Sequence, residues 1–241
     1  MEKKEINGIV PFKKEFKYDT KIGFKDLDGN VVIKPKYAEW GTAPELIGGL
    51  ATFVEPKNSL HGIINYKAQI LVEGAYDTKV YEEGLGIYET LSCTKVNGVN
   101  LYCADHRFGF VNNEGDFIVS CEYSKLMRIK KGYYYFAKGS NEYGILEINV
   151  EGKTRSISFD MKSAGYEACD REYYEVVAHG LLCVKKNGLW GVLTVDGKEV
   201  VPCKYSHVRQ WGRAQLQVWD GDQSFTVNIE DLNNITIKPD D

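Results

Sequence analysis

The chain has 241 residues, 43% of them hydrophobic and 12% aromatic, with a formal net charge of −4. That length suffices for one large core or a row of small ones. The acidic balance argues against a nucleic-acid clamp, which carries a basic face. No run approaches the roughly 18 apolar residues of a membrane helix, so neither nucleic acid nor membrane is an expected partner.

The head opens Met1-Glu2-Lys3-Lys4-Glu5, and the apolar stretch Ile9-Val10-Pro11-Phe12 is too short for a signal core, so a cytoplasmic location is expected. Residues 1–20 read as an N-terminal half-unit or cap. A repeated paragraph then begins. Ile22-Gly23, His61-Gly62, Phe108-Gly109, Tyr143-Gly144 and Trp190-Gly191 each set a bulky residue before a glycine. Tyr37, Tyr76, Tyr123 and Tyr205 stand fourteen residues after four of those glycines. The glycine intervals of 39, 47, 35 and 47 residues mark a tandem array over residues 21–222.

Each copy predicts a hairpin. Asp28-Gly29 and Asp196-Gly197 sit between β-prone runs, and glycine takes the positive φ of a tight turn without steric cost. Glu114-Gly115 and Glu151-Gly152 hold the same place, whereas Lys67-Ala68 predicts a different loop geometry. Pro35 and Pro202 stop the second strand, since proline cannot donate to a ladder. A third strand follows, as in Thr52-Phe53-Val54, Tyr135-Phe136-Ala137 and Cys183-Val184. In Ala214-Gln215-Leu216-Gln217-Val218 the apolar residues alternate and share one face. The expected fold is all-β: a tandem array of three-stranded antiparallel units, with no helix beyond a turn or two. The repeat glycine reads as space for the ring of the tyrosine fourteen residues on.

The unit resembles the bacterial WG repeat: a bulky residue and glycine, a strand, a D-G or K-G turn, a V-I-P strand, a tyrosine, then G-L-A-V. Trp190-Gly191, Asp196-Gly197, Val200-Val201-Pro202 and Tyr205 form the nearest copy. Unit four matches only at Tyr143-Gly144 and, with two extra residues, at Glu151-Gly152. The resemblance implies a β-rich repeat module and brings no catalytic residues with it.

Two insertions break the array, one over roughly Thr90 to Asp105 and one over Lys153 to Ala178 in unit four. The tail, residues 223–241, copies half a unit, with Asn233-Asn234 as its turn and Ile237-Lys238-Pro239 echoing Ile33-Lys34-Pro35. Head and tail would complete a split sixth unit in a closed β-propeller, or cap an open twisted stack. The uneven unit lengths favour the stack.

No G-x-S-x-G, H-E-x-x-H, phosphate-loop or dinucleotide fingerprint occurs. The cysteines Cys93, Cys103, Cys121, Cys169, Cys183 and Cys203 show no C-x-x-C spacing, and Cys183 and Cys203 read as small core hydrophobes. Cys93, Cys103 and His106 lack zinc-site spacing. No catalytic residue, metal or cofactor is therefore assigned. An enzyme working through that region or through the unit-four acids is the lesser expectation.

What remains is aromatic surface. Trp40, Trp211 and Trp219 lie outside the repeat's tryptophan position, and Tyr133-Tyr134-Tyr135 must put rings on both faces of a strand. Unit four's insertion contributes Tyr166, Arg171, Tyr173 and Tyr174. Tyrosine and tryptophan bury large area for few rotatable bonds. The expected function is a non-catalytic binding module that offers Trp40, Tyr133, Tyr135, Tyr166, Arg171, Tyr173, Tyr174, Trp211 and Trp219 to a protein or peptide partner. The alternative is capture of a small molecule, a nucleotide or glycan, at the unit-four insertion.

Overall fold

The computed structural model describes residues 8–39, 45–75, 77–82, 84–96, 99–151, 153–168, 176–177, 180–212 and 214–240. Of residues 77, 88–96, 99–105, 176 and 177 it describes the backbone alone. The chain forms two compact units, one running to Ser124 with Asn149–Thr154, the other made of Lys125–Ile148 and the remainder from Arg155.

In the first unit β1 (Ile9–Glu15), β2 (Thr20–Asp26), β3 (Val31–Ala38), β4 (Leu50–Val54), β5 (His61–Asn65) and β6 (Ile70–Ala75) make a six-stranded sheet. β7 (Asp77–Tyr81), β8 (Leu85–Val96), β9 (Val99–Asn112) and β10 (Phe117–Tyr123) make a second sheet. The other unit holds three four-stranded sheets. They are β11 (Lys125–Lys130) to β14 (Thr154–Asp160) through β12 (Tyr133–Lys138) and β13 (Glu142–Asn149); β15 (Val176–Val177), β16 (Leu181–Lys186), β17 (Leu189–Leu193) and β18 (Glu199–Tyr205); and β19 (His207–Gly212), β20 (Gln215–Asp220), β21 (Gln223–Asn228) and β22 (Thr236–Pro239). In every sheet the strands lie in chain order and pair antiparallel, as short connections dictate.

The expected three-strand unit is present in a shifted phase. The third strand of one repeat pairs forward, with the hairpin of the next: β8 joins β9–β10, β12 joins β13–β14, β16 joins β17–β18 and β20 joins β21–β22. Turn chemistry explains the choice. Asn187 and Gly188 link β16 to β17 with φ of 53° and 79°, the double positive φ of a two-residue hairpin. A further strand precedes each triplet, and β19 continues the strand before it. Only Ser206 separates β18 from β19, and its N–H and hydroxyl both donate to Trp219 O at 2.8 and 3.0 Å. One bent strand thus serves two sheets.

The ends are completed locally. β1 pairs with β2, while β22 pairs with β21 across the Asn233-Asn234 region. Among the described residues no sheet mixes head and tail strands, so the split sixth unit is not formed. The first insertion is an extension of β8 and β9, paired from Leu85↔Asn112 to Val96↔Val99.

The repeat glycine has a different neighbour from the one expected. Trp190 lies opposite Tyr205 and Val192 opposite Val201, so Gly191 alone faces Pro202, Cys203 and Lys204. Ile22↔Tyr37 with Phe24↔Ile33, and Phe108↔Tyr123 with Phe110↔Val119, repeat the same irregularity. It is a special β-bulge, with three residues against one. A Cβ on Gly191 would stand 2.6 Å from Val201 O and 2.8 Å from Cys203 N; one on Gly23 would stand 2.7 Å from Ile33 O and 2.8 Å from Pro35 N. The bulged backbone, not the tyrosine ring, occupies the glycine's space. Pro35 and Pro202 fit the bulge because no ladder bond is asked of them. The tyrosines instead anchor the cores: Tyr37 is fully buried, its ring 4.1 Å from Phe53 and 6.3 Å from Phe24.

A second repeated device closes each hairpin. Three residues after the glycine stand Asp26, Asn65, Asn112 and Thr194. In each, the backbone N–H donates to the carbonyl four residues on, and its own carbonyl accepts from three residues on. The side-chain oxygen also accepts backbone N–H bonds: Asp28 and Asn30 on Asp26, Lys67 and Gln69 on Asn65, Glu114 and Asp116 on Asn112, Lys198 on Thr194. These are Asx-type turns. Unit two keeps the geometry in spite of its Lys67-Ala68, because Ala68 itself takes φ 59°. A left-handed alanine costs about 1–2 kcal/mol, only partly offset by the extra chain entropy of glycine. Ala68→Gly is therefore expected to raise the urea midpoint by a net stabilisation of about 0.5 kcal/mol. A lowered midpoint would refute the strain.

The cores lie between neighbouring sheets within each unit. Leu182, Val184 and Leu193 of the β15–β18 sheet pack with Ile129, Tyr135, Ala137, Tyr143 and Ile145. Leu181, Cys183, Val192 and Val201, on its opposite face, pack with Val208, Leu216, Val218 and Val227. A sheet covered on both sides shows an unbroken apolar strand, and Leu181–Val184 are all buried. The β19–β22 sheet differs. Along β20 only Leu216 and Val218 are buried, so the alternation seen in the sequence marks one covered and one open face.

Candidate functional site

The open face of the β19–β22 sheet gathers the side chains that the strand period of two turns outward. His207, Arg209 and Trp211 alternate along β19, while Gln217 and Trp219 stand opposite on β20, in the pairs His207↔Trp219 and Arg209↔Gln217. The Arg209 guanidinium carbon sits 4.7 Å from the Trp211 ring centre and 5.1 Å from that of Trp219. The His207 ring lies 5.2 Å from Trp219 on the other side. Trp211 keeps 58% of its surface exposed. A cation over an indole face is held by the ring's quadrupole.

A polar chain fixes the guanidinium in this position. Its Nε and Nη2 both donate to Gln217 Oε1, at 3.1 and 2.7 Å. Gln217 Nε2 donates to Asp240 Oδ2 at 2.7 Å, and Thr226 Oγ1 donates to Asp240 Oδ1 at 2.6 Å. Hydrogen bonds from Thr226, then Ser224 and Gln217, hold the Asp240 carboxyl below its ordinary range. Because an ionised Asp240 only accepts, Gln217 must turn its NH2 toward it and its oxygen toward Arg209. This order persists above the depressed carboxyl pKa and is lost as pH falls through it.

The other expected site residues are scattered. Tyr135 is 1% exposed and Tyr166 is 7% exposed, both within the core, so neither offers a ring to a partner. β12 is covered on both faces, since Tyr134 is buried as well. Tyr133 is half-buried, donates to Glu147 Oε1 at 3.1 Å and carries Lys130 over its ring at 5.0 Å, in a different sheet from the two tryptophans. Trp40, Arg171, Tyr173 and Tyr174 lie outside the described residues. Of the expected set the structure brings together Trp211 and Trp219. It adds Arg209, Gln217 and Asp240, which the aromatic search passed over. The i, i+2 spacing of His207, Arg209 and Trp211 was the available signal.

Unit four keeps a buried tyrosine in a changed place. Tyr166 accepts at its carbonyl from the Tyr143 hydroxyl at 2.9 Å and donates to Glu199 at 2.8 Å. Burial, then the Glu199 contact, raises its phenol above the ordinary value. Cys203 nearby has its thiol pushed up to about 11, chiefly by burial, which makes it a poor nucleophile. Cys183 is buried in the core, as expected. Among the described residues no group of three or more His, Cys, Asp or Glu is placed to hold a metal ion.

Bulged hairpins, Asx-type turns and sheets laid in chain order define a tandem β-repeat protein. Residues 22–39 and 108–141 match the model of the WG containing repeat. No curated protein matches it in sequence. Solved structures similar to it include PorZ, a surface component of the type-IX secretion system of Porphyromonas gingivalis (10% identity, 92% of this chain, 30% of that one, TM-score 0.37). A eukaryotic initiation factor matches at 13% identity over 90% of this chain and 59% of that one, with TM-score 0.40. A gluconolactonase from Xanthomonas campestris matches at 9% identity over 98% and 87%, with TM-score 0.34. The chain spans 30% and 59% of the first two. These likenesses are loose and lend the chain no activity.

Proposed function

We propose that this β-repeat protein is a binding module whose β19–β22 face takes a protein or peptide partner. The supporting observation is the exposed Trp211 indole, held in place by the Arg209 guanidinium that also stacks on Trp219. A partner that covered the exposed part of one tryptophan would gain about 3 kcal/mol from area alone. The rings are already ordered, so little rotamer freedom is lost on binding.

Trp211→Ala separates binding from folding. Its urea midpoint is expected to stay within about 0.5 kcal/mol of wild type, because the ring packs into no core. Affinity capture from native lysate with both proteins as bait, read by mass spectrometry, is the test. A protein held by wild type and lost by Trp211→Ala supports the reading. A partner held equally by both baits, or a stoichiometric small molecule with no protein, sinks it.

A further inference from the structure

Among the described residues Arg209 has no counter-ion. Two of the five N–H donors of a guanidinium are spent on the neutral oxygen of Gln217. Among the described residues no carboxylate lies within ion-pair distance of Arg209, and no hydrogen bond occupies its outer edge. The nearest acid in the chain of contacts, Asp240, reaches it only through Gln217. A glutamine in that relay orients the guanidinium yet leaves its charge unneutralised. The two indoles lie against the guanidinium, and its two bonds to Gln217 set the direction of the remaining edge. A fixed planar fork with an unused edge matches a carboxylate bidentately, in the strong class of charge-assisted hydrogen bonds.

We infer that the partner segment presents an aspartate or glutamate side chain to Arg209, with an adjoining apolar residue lying on Trp211. This rests on the reading of the β19–β22 face as the binding surface. It narrows that surface to acidic peptides with an apolar residue beside the carboxylate. The carboxylate takes the free Nη edge, and the apolar neighbour covers the exposed indole. Asp240, Gln217 and Thr226 act as positioning residues behind the contact.

The test uses the full chain and two blocked peptides, one with a single glutamate between two phenylalanines, the other with glutamine in its place. The indole N–H resonances of Trp211 and Trp219, assigned from single Trp→Phe variants, report contact. The glutamate peptide is expected to shift both signals and to bind about two- to fivefold more tightly than the glutamine peptide, the upper part of the range of one partly exposed charge pair. Arg209→Gln should erase that preference. If this variant does not fold, the comparison of the two peptides on wild type decides alone. Equal affinity for the two peptides overturns the carboxylate inference but leaves the face a binding surface. So does a failure of the glutamate peptide to move either indole signal at millimolar concentration. Inorganic phosphate moving the same signals more tightly than the glutamate peptide also overturns it, in favour of a phosphate-bearing ligand. The reading of the face itself fails separately, on partner capture that Trp211→Ala leaves intact.

Discussion

Gly191→Ala is expected to cost about 2–3 kcal/mol, the upper part of the range for overpacking a well-filled interior. Beside the Cys203 sulfur at 2.6 Å, the added methyl meets two backbone atoms, Val201 O at 2.6 Å and Cys203 N at 2.8 Å. These are main-chain atoms of a bulge held on both sides by the Trp190↔Tyr205 and Val192↔Val201 pairs, so they cannot swing aside as a side chain does. Gly23→Ala, which meets the equivalent atoms in the first unit, should behave alike. The control is Gly221→Ala. Gly221 has φ +60° and nothing within 4 Å of an added Cβ, so only the net left-handed penalty of about 0.5 kcal/mol remains, once the lower chain entropy of alanine is counted. Chemical denaturation of the three variants measures the difference. If Gly191→Ala is no less stable than Gly221→Ala, the bulge is not what demands the glycine.

The spacing of glycine and tyrosine was legible because both residues serve the same hairpin. Their relation was not, because a bulge is invisible to a reading that assumes regular pairing. The register set by Val192↔Val201 would put Tyr205 opposite Gly188, and the two extra residues of the bulge bring it opposite Trp190, beside the glycine rather than facing it. The strand grouping slipped for a related reason. Periodicity shows which residues alternate, but turn geometry decides which strands meet, and Asn187-Gly188 outweighs the boundary drawn at Trp190. Ala68 shows the converse case. A poor turn residue suggested another loop, but the side-chain cap from Asn65 and the pairing of β5 with β6 impose the common geometry on it.

For the site, aromatic content alone was a weak guide. Tyr135 and Tyr166 differ from Trp211 in burial, and burial depends on whether a further sheet covers the face. The clean alternation of Leu216 and Val218 against polar neighbours already marked β20 as covered on one side only. Joined to the placement of Trp211 and Trp219, that pattern locates the open face. The polar relay from Asp240 through Gln217 had no such signature, since it joins β20 to the residue just after β22, and that proximity exists only in the folded sheet.

Asn65→Ala is expected to destabilise the first unit by about 3 kcal/mol, more than the same truncation at Asp26. Both residues cap a hairpin turn from the same repeat position. Asp26 is partly exposed, so water replaces the lost oxygen and the cost is about 1 kcal/mol, that of an exposed capping side chain. Asn65 has no exposed surface. Its Oδ1 accepts from the Lys67 and Gln69 N–H groups, and its Nδ2 donates to Gln69 Oε1 and to Asn113 O, each at 2.9 Å. The bond to Asn113 ties the unit-two turn to the unit-three turn, while Asn113 Nδ2 donates onward to Gly48 O at 3.0 Å. Truncation removes four part-buried hydrogen bonds, each worth about 1 kcal/mol. Hydrogen exchange adds a local readout: the amides of Lys67, Gln69 and Asn113 should lose protection together in Asn65→Ala, while those of Asp28 and Asn30 keep theirs. Equal losses of stability at Asn65 and Asp26 would mean that the turn alone matters and the link between neighbouring turns contributes nothing.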